Sequence, residues 1–232
     1  PGIGTVSGFN GSPSAKDTFF SFSGFTEPGK IYRYQVEQQR TTLWQEVEFP
    51  AELESYETHQ VVYESKDGTE IPMFLVHSQD VELDGSNPTL LYGYGGFEIS
   101  LTPGYRAGVG RAWTSHGGVY VVANIRGGGE YGPRWHQAAL KQNRLRAYED
   151  FAAVGEDLIH RKVTSRDRLG IQGGSNGGLL VGNMVAMYPD LFSAAVCQVP
   201  LLDMRRYHLL LAGASWMAEY GNPDAEGEWD FI

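Results

Sequence analysis

The sequence has a single cysteine, Cys197, so neither an intramolecular disulfide framework nor a cysteine-ligated zinc site is available to it. It has no run of about 18 apolar residues, which excludes a bundle of membrane-spanning helices. Basic residues are scarce: 18 Lys and Arg stand against 28 Asp and Glu, a formal net charge of −10. A general nucleic-acid binder needs clustered cations to neutralise phosphates, so that class is also excluded. Low-complexity sequence and repeats of fixed period are absent too. What is present is a core: 41% of the 232 residues are hydrophobic, enough for one or two folded domains.

The first fifty residues carry aromatic-rich strand signals at Phe19–Phe22 and Ile31–Tyr34, with Pro28-Gly29 as a turn and no helical period. Val61–Ser65 and Ile71–Val76 flank Lys66-Asp67-Gly68-Thr69, a hairpin signal. From about residue 88 strands and helices alternate. Thr89–Tyr92, Val119–Asn124, Leu169–Gln172 and Ser193–Val199 read as strands. Asp150–Val163 and Leu179–Met187 read as helices, the second halted by Pro189. This order predicts an α/β fold with a mostly parallel sheet covered by helices. The chain begins at Pro1 and stops at Ile232 inside an ordered-looking segment, so a fragment of a longer protein is expected.

Gly173-Gly174-Ser175-Asn176-Gly177 fits the G-x-S-x-G pattern between a short strand and an apolar helix. That context makes Ser175 the candidate nucleophile. A sharp strand-to-helix turn lifts the hydroxyl above the sheet, and the helix N-terminus places partial positive charge near a developing oxyanion. Asn176 can donate its backbone N–H to that oxyanion. A second donor is expected from the glycine-rich loop Tyr92–Phe97, where Tyr94 is either a hydroxyl donor or a packing aromatic. Gly127–Gly132 also fits the G-x-G-x-x-G pattern of dinucleotide sites. Its context argues against that use: Pro133 follows, and Glu149-Asp150 open a helix instead of closing a second strand. A structural loop with Arg126 or Glu130 in an ion pair is expected. His208 is the only histidine after Ser175. Each strand–helix–strand unit takes about 30 residues. The acid and histidine of a triad are therefore expected beyond residue 232, and not at Asp203 and His208.

Together these segments resemble the prolyl oligopeptidase family, serine peptidases in which a seven-bladed β-propeller covers an α/β-hydrolase domain. The resemblance runs through Phe22–Tyr34, Ser65–Met73, Leu90–Phe97, Ala123–Gly132 and Gly173–Gly178. The asparagine after the serine points to this family over its aminopeptidase and basic-residue-cleaving relatives. The resemblance implies that residues 1–50 end the last propeller blade and its return linker. Residues 51–232 would then be an α/β-hydrolase domain, incomplete at its C-terminal end. It implies Ser175 as nucleophile, Tyr94 hydroxyl and Asn176 N–H as the oxyanion hole, and Trp216 stacked on the substrate proline with Phe97 and Tyr220 lining the pocket. Trp216-Met217-Ala218-Glu219-Tyr220-Gly221 keeps the family spacing. It further implies short proline-containing peptides as partners, no cofactor and a cytoplasmic location. Two alternatives stay open: a non-catalytic truncated product or interaction module, and dinucleotide binding at residues 127–132.

Overall fold

The structure, a computed structural model, describes residues 2–47 and 56–232, and the expected boundary at 50/51 lies outside the described residues. The chain divides into two compact units. One comprises Pro1–His59, Val76–Val81 and Thr102–Gly117; the other comprises Gln60–Leu75, Glu82–Leu101 and Gly118–Ile232.

Four antiparallel strands make a meander in the first unit: β1 (Thr5–Asn10), β2 (Asp17–Ser23), β3 (Lys30–Gln35) and β4 (Arg40–Glu46), in that spatial order. Aromatic residues knit it together. Phe20 stacks on Phe9 and on Tyr32, with centroids 4.6 and 5.2 Å apart. Such cross-strand aromatic contacts are a main source of stability in a small sheet.

Six strands form the second sheet, in the order β10-β9-β7-β8-β6-β5. They are β5 (Tyr56–Glu64), β6 (Glu70–Ser78), β7 (Thr89–Tyr92), β8 (Val119–Ala123), β9 (Leu169–Gly174) and β10 (Ala194–Gln198). The four from β10 to β8 pair in parallel. The last two are joined by the Lys66–Thr69 turn, where Ser65 N–H donates to the Thr69 carbonyl. Every residue of β8, Val-Tyr-Val-Val-Ala, is buried, as befits a central strand covered on both faces. Helices α1 (Ala107–Ala112) and α2 (Pro133–Gln137) are short. Helix α3 (Leu145–His160) turns Ala147, Phe151, Val154 and Leu158 inward, a spacing of three and four that keeps one face apolar. It starts five residues before the predicted Asp150, so Glu149 and Asp150 lie inside the helix and do not open it. Helix α4 (Asn176–Met187) follows β9 with only Ser175 between them.

A buried ion cluster braces this sheet. Arg126, just past β8, donates from Nη2 and Nε to Asp150 at 2.7 and 2.9 Å, and from Nη1 to Asp67 in the hairpin turn at 2.6 Å. Asp150 is fully buried and also accepts from Ser65 Oγ at 2.5 Å. Burial opposes the charge on Arg126, but the two carboxylates outweigh it and raise its pKa further. The expected ion pair thus falls on Arg126. Glu130 instead accepts from Leu101 N–H and Asn124 Nδ2.

Candidate active site

The turn from β9 into α4 presents Ser175. Its backbone takes φ 57° and ψ −117°, a strained conformation for a residue with a side chain, and the residue is exposed. The strain is held by specific bonds. Ser175 N–H donates to the Gln198 carbonyl at 3.0 Å, and its own carbonyl accepts from Leu179 N–H at 3.0 Å. The flanking glycines are obligatory on steric grounds. A Cβ on Gly173 would lie 2.2 Å from the Gly177 carbonyl oxygen, and one on Gly177 would lie 2.6 Å from the Gly93 oxygen. The second of these contacts presses the turn against the loop that carries Tyr94.

Tyr94 is half-buried, and its phenol interacts with Ser175. Burial raises its pKa above the usual value, and the Ser175 contact offsets only part of that. The hydroxyl therefore keeps its proton at neutral pH and is able to donate it in a hydrogen bond. Asn176 sits at the first position of α4 with its side chain fully buried. Its Oδ1 accepts from Tyr220 OH at 2.7 Å and from Arg144 Nη2, while its Nδ2 donates to the Tyr94 carbonyl. One side chain thus ties together the loop, the helix start and Tyr220.

Phe97, Trp216 and Tyr220 meet in one apolar cluster built on Leu179, Tyr207 and Tyr220. The rings of Phe97 and Tyr220 stand edge to face, 5.7 Å apart at 85°. Tyr220 is almost wholly buried, and burial drives its phenol far above the usual pKa. It behaves as a neutral wall. Trp216 closes a short 3-10 turn, Gly213–Trp216, and remains partly open. The structure brings all six candidate residues into the second unit, in two contiguous groups.

No histidine or carboxylate is hydrogen-bonded to Ser175 among the described residues. His208 pairs with Asp224 at 2.8 Å, and Asp203 with Arg206. The Gly127–Gly132 loop is filled by the protein's own backbone. A Cβ on Gly127 would lie 2.4 Å from the Gly95 oxygen, and one on Gly129 would lie 2.1 Å from the Glu98 oxygen. Its glycines serve the close approach of the Tyr94 loop and leave no cradle for a pyrophosphate.

The sequence pattern of the prolyl oligopeptidase family matches residues 109–230, just over half the chain. The chain belongs to the prolyl oligopeptidase family. An uncharacterized peptidase, y4nA, of Sinorhizobium fredii is 50% identical over 229 residues, covering 95% of this chain and 31% of that protein. A prolyl endopeptidase of Elizabethkingia miricola is 42% identical over 228 residues, 98% of this chain and 32% of the relative. A solved structure from a study of two prolyl endopeptidases and their inter-domain dynamics superposes with a TM-score of 0.94 at 45% identity. It covers 100% of this chain and 34% of its own. The chain spans about a third of the length of the curated relatives it matches.

This prolyl oligopeptidase family chain also holds a polar cluster that sequence reasoning missed. Glu219, buried beside Tyr220, accepts from Phe97 N–H at 3.0 Å, from Arg144 Nη1 at 3.0 Å and from His136 Nε2 at 2.7 Å. It fixes the backbone of Phe97, whose φ of 55° would otherwise be unfavourable. The three side chains come from residues 136, 144 and 219. No local pattern joins them, although an acidic residue inside an aromatic Trp-x-x-x-Tyr segment was a usable hint.

Proposed function

We propose that this chain carries the nucleophile and the proline pocket of a serine peptidase that cleaves short peptides after proline. The observation that carries this is the exposed Ser175 on its strained turn, beside a protonated tyrosine whose loop is tied to the same buried asparagine as the Phe97–Tyr220 wall. In this reading Ser175 Oγ attacks the carbonyl carbon of the proline residue as its proton passes to a general base. The carbonyl oxygen becomes an oxyanion held by Tyr94 OH and Asn176 N–H. Collapse of the tetrahedral intermediate breaks the C–N bond, the leaving amine takes the proton, and an ester remains on Ser175. Water then repeats the sequence and frees the acid. Phe97, Trp216 and Tyr220 offer aromatic surface to a ring that has no N–H to satisfy.

The general base and its acid are assigned to residues outside 1–232, since Ser175 has neither partner among the described residues. On this view the six-stranded sheet is the leading part of an α/β-hydrolase domain that further strands complete. The four-stranded meander is the end of a propeller blade, a unit built of four such strands. A cytoplasmic location goes with the same reading. The test is fluorophosphonate labelling of the full-length protein that contains this chain, with the adduct mapped by mass spectrometry. The adduct is expected on Ser175; a different modified serine with Ser175 untouched refutes the assignment.

A further inference from the structure

A second cluster of reactive side chains stands in the other compact unit. Glu57 and His59 lie two apart on β5, so they project from the same face of the strand. His77 comes from the end of β6. All three belong to the first unit, and one ligand-capable atom from each lies within 4.8 Å of the other two. The rings of His59 and His77 are stacked, 5.5 Å apart at 23°, and His59 Nε2 is 2.8 Å from Glu57 Oε2.

The three side chains differ in a useful way. His77 is 6% exposed, and its Nδ1 is 2.9 Å from the Ser78 carbonyl. A carbonyl can only accept, so Nδ1 carries the proton and the lone pair of the neutral ring is on Nε2. A backbone carbonyl that fixes the tautomer in this way is the usual support of a metal-ligating histidine. Glu57 and His59, by contrast, are half exposed at 41% and 50% of their side-chain surface, and free to adjust. A tetrahedral ion with ligands near 2.0 Å needs them about 3.3 Å from one another. Small rotations of the two exposed side chains about a fixed His77 bring the set to that spacing.

We propose that Glu57, His59 and His77 form a binding site for a zinc ion at the open end of the β5–β6 hairpin. Two imidazole nitrogens and one carboxylate oxygen suit a borderline transition metal, and two nitrogens in three disfavour calcium and magnesium. Three protein ligands leave one position for water. The ion ties the start of β5 to the end of β6, a cross-link that closes the hairpin opposite its turn. It does not depend on the peptidase chemistry proposed for Ser175.

The test uses the full-length, tag-free protein, stripped with a chelator and titrated with Zn²⁺ by calorimetry. One ion per chain is expected, and His59→Gln and Glu57→Gln should each weaken binding by roughly 10–100-fold or more, at least as much as the loss of a supporting partner does. Neither side chain belongs to the core, so neither change threatens it. Electron paramagnetic resonance with Cu²⁺ as a spectroscopic probe should show two coupled imidazole nitrogens in the wild type and one in His59→Gln. Absence of stoichiometric Zn²⁺ binding overturns the proposal. So does binding whose affinity both variants leave unchanged, because the ion then sits elsewhere.

Discussion

Replacing Asn176 with alanine separates two roles of that residue. Its backbone N–H, assigned to the oxyanion, survives the substitution. Its side chain does not, and with it go the bonds to the Tyr94 carbonyl, Arg144 Nη2 and Tyr220 OH. Each buried polar group stripped of its partner costs about 1–3 kcal/mol. Three such groups set the cost near 3 kcal/mol at the low end, reached if a water enters the vacated space and bonds to all three. The space is small and close to backbone: a Cβ on Gly96 would lie 2.6 Å from the asparagine amide. Tyr94 and Tyr220 both lose an anchor, so the proposed oxyanion donor and proline wall loosen together. Misplacement of groups by about 1 Å costs on the order of 100-fold in rate, equivalent to about 2.7 kcal/mol. The assay is hydrolysis of a glycyl-prolyl anilide by the full-length protein, read as kcat/KM, beside thermal unfolding of the same preparation. The expected result is a loss of about 100-fold in kcat/KM with a lowered Tm. A variant within threefold of wild type in kcat/KM refutes the idea that this side chain holds the site in register, and leaves Asn176 with its backbone role alone.

Trp216→Ala should lower kcat/KM for proline substrates by about 2 kcal/mol, the usual worth of a buried aromatic contact, while fluorophosphonate labelling of Ser175 stays near wild type. If both rates fall together, Trp216 supports the fold and not the substrate. Asp150→Asn should destabilise the second unit by about 3 kcal/mol, because it leaves the buried Arg126 with only the half-exposed Asp67 as a carboxylate partner; an unfolding midpoint close to wild type contradicts this. Asp67 itself has its carboxyl held well below the usual range by the Arg126 hydrogen bond, against the opposing effect of partial burial. A depressed folded pKa means that its contribution is complete above the unfolded value near 4 and fades as the pH falls below it. Asp67→Asn should therefore narrow the gap in stability between neutral and acid pH, a difference measurable in paired unfolding curves at pH 7 and about pH 3.

The Ser175 turn was legible because its signal is local. Two small residues, a serine and an apolar helix in one short segment leave few other uses for the pattern. Strands β7 and β8 were equally plain, since continuous apolar runs have nowhere to go but the centre of a sheet. Strands β1 and β4 gave no signal. Their sequences, Thr-Val-Ser-Gly-Phe-Asn and Arg-Thr-Thr-Leu-Trp-Gln-Glu, are almost wholly exposed, so their pairing rests on backbone bonds and a few ring contacts that composition does not report. The start of α3 was missed for a related reason. Its first residue, Leu145, is exposed, and the apolar spacing becomes regular only from Ala147 onward. The Glu219 cluster and the Glu57–His59–His77 group are products of tertiary folding, and no short window along the chain contains all the members of either.

The bonds around Arg126 and Ser175 also set an order in time. Asp67 leaves the ribosome 59 residues before Arg126, and Asp150 follows Arg126 by 24. At about 5–20 residues per second, the β5–β6 turn waits roughly 3–12 s for its arginine, and the arginine waits roughly 1–5 s more for its buried carboxylate. The Ser175 turn comes later still. Ser175 N–H is held by the Gln198 carbonyl on β10, so the strained turn has no backbone anchor until that strand has been made and laid beside β9. A ribosome paused between those two residues exposes β9 as an unpaired edge with a serine turn at its tip. Slow codons in that stretch of the message would act on the Ser175 turn more than on any other part of the sheet.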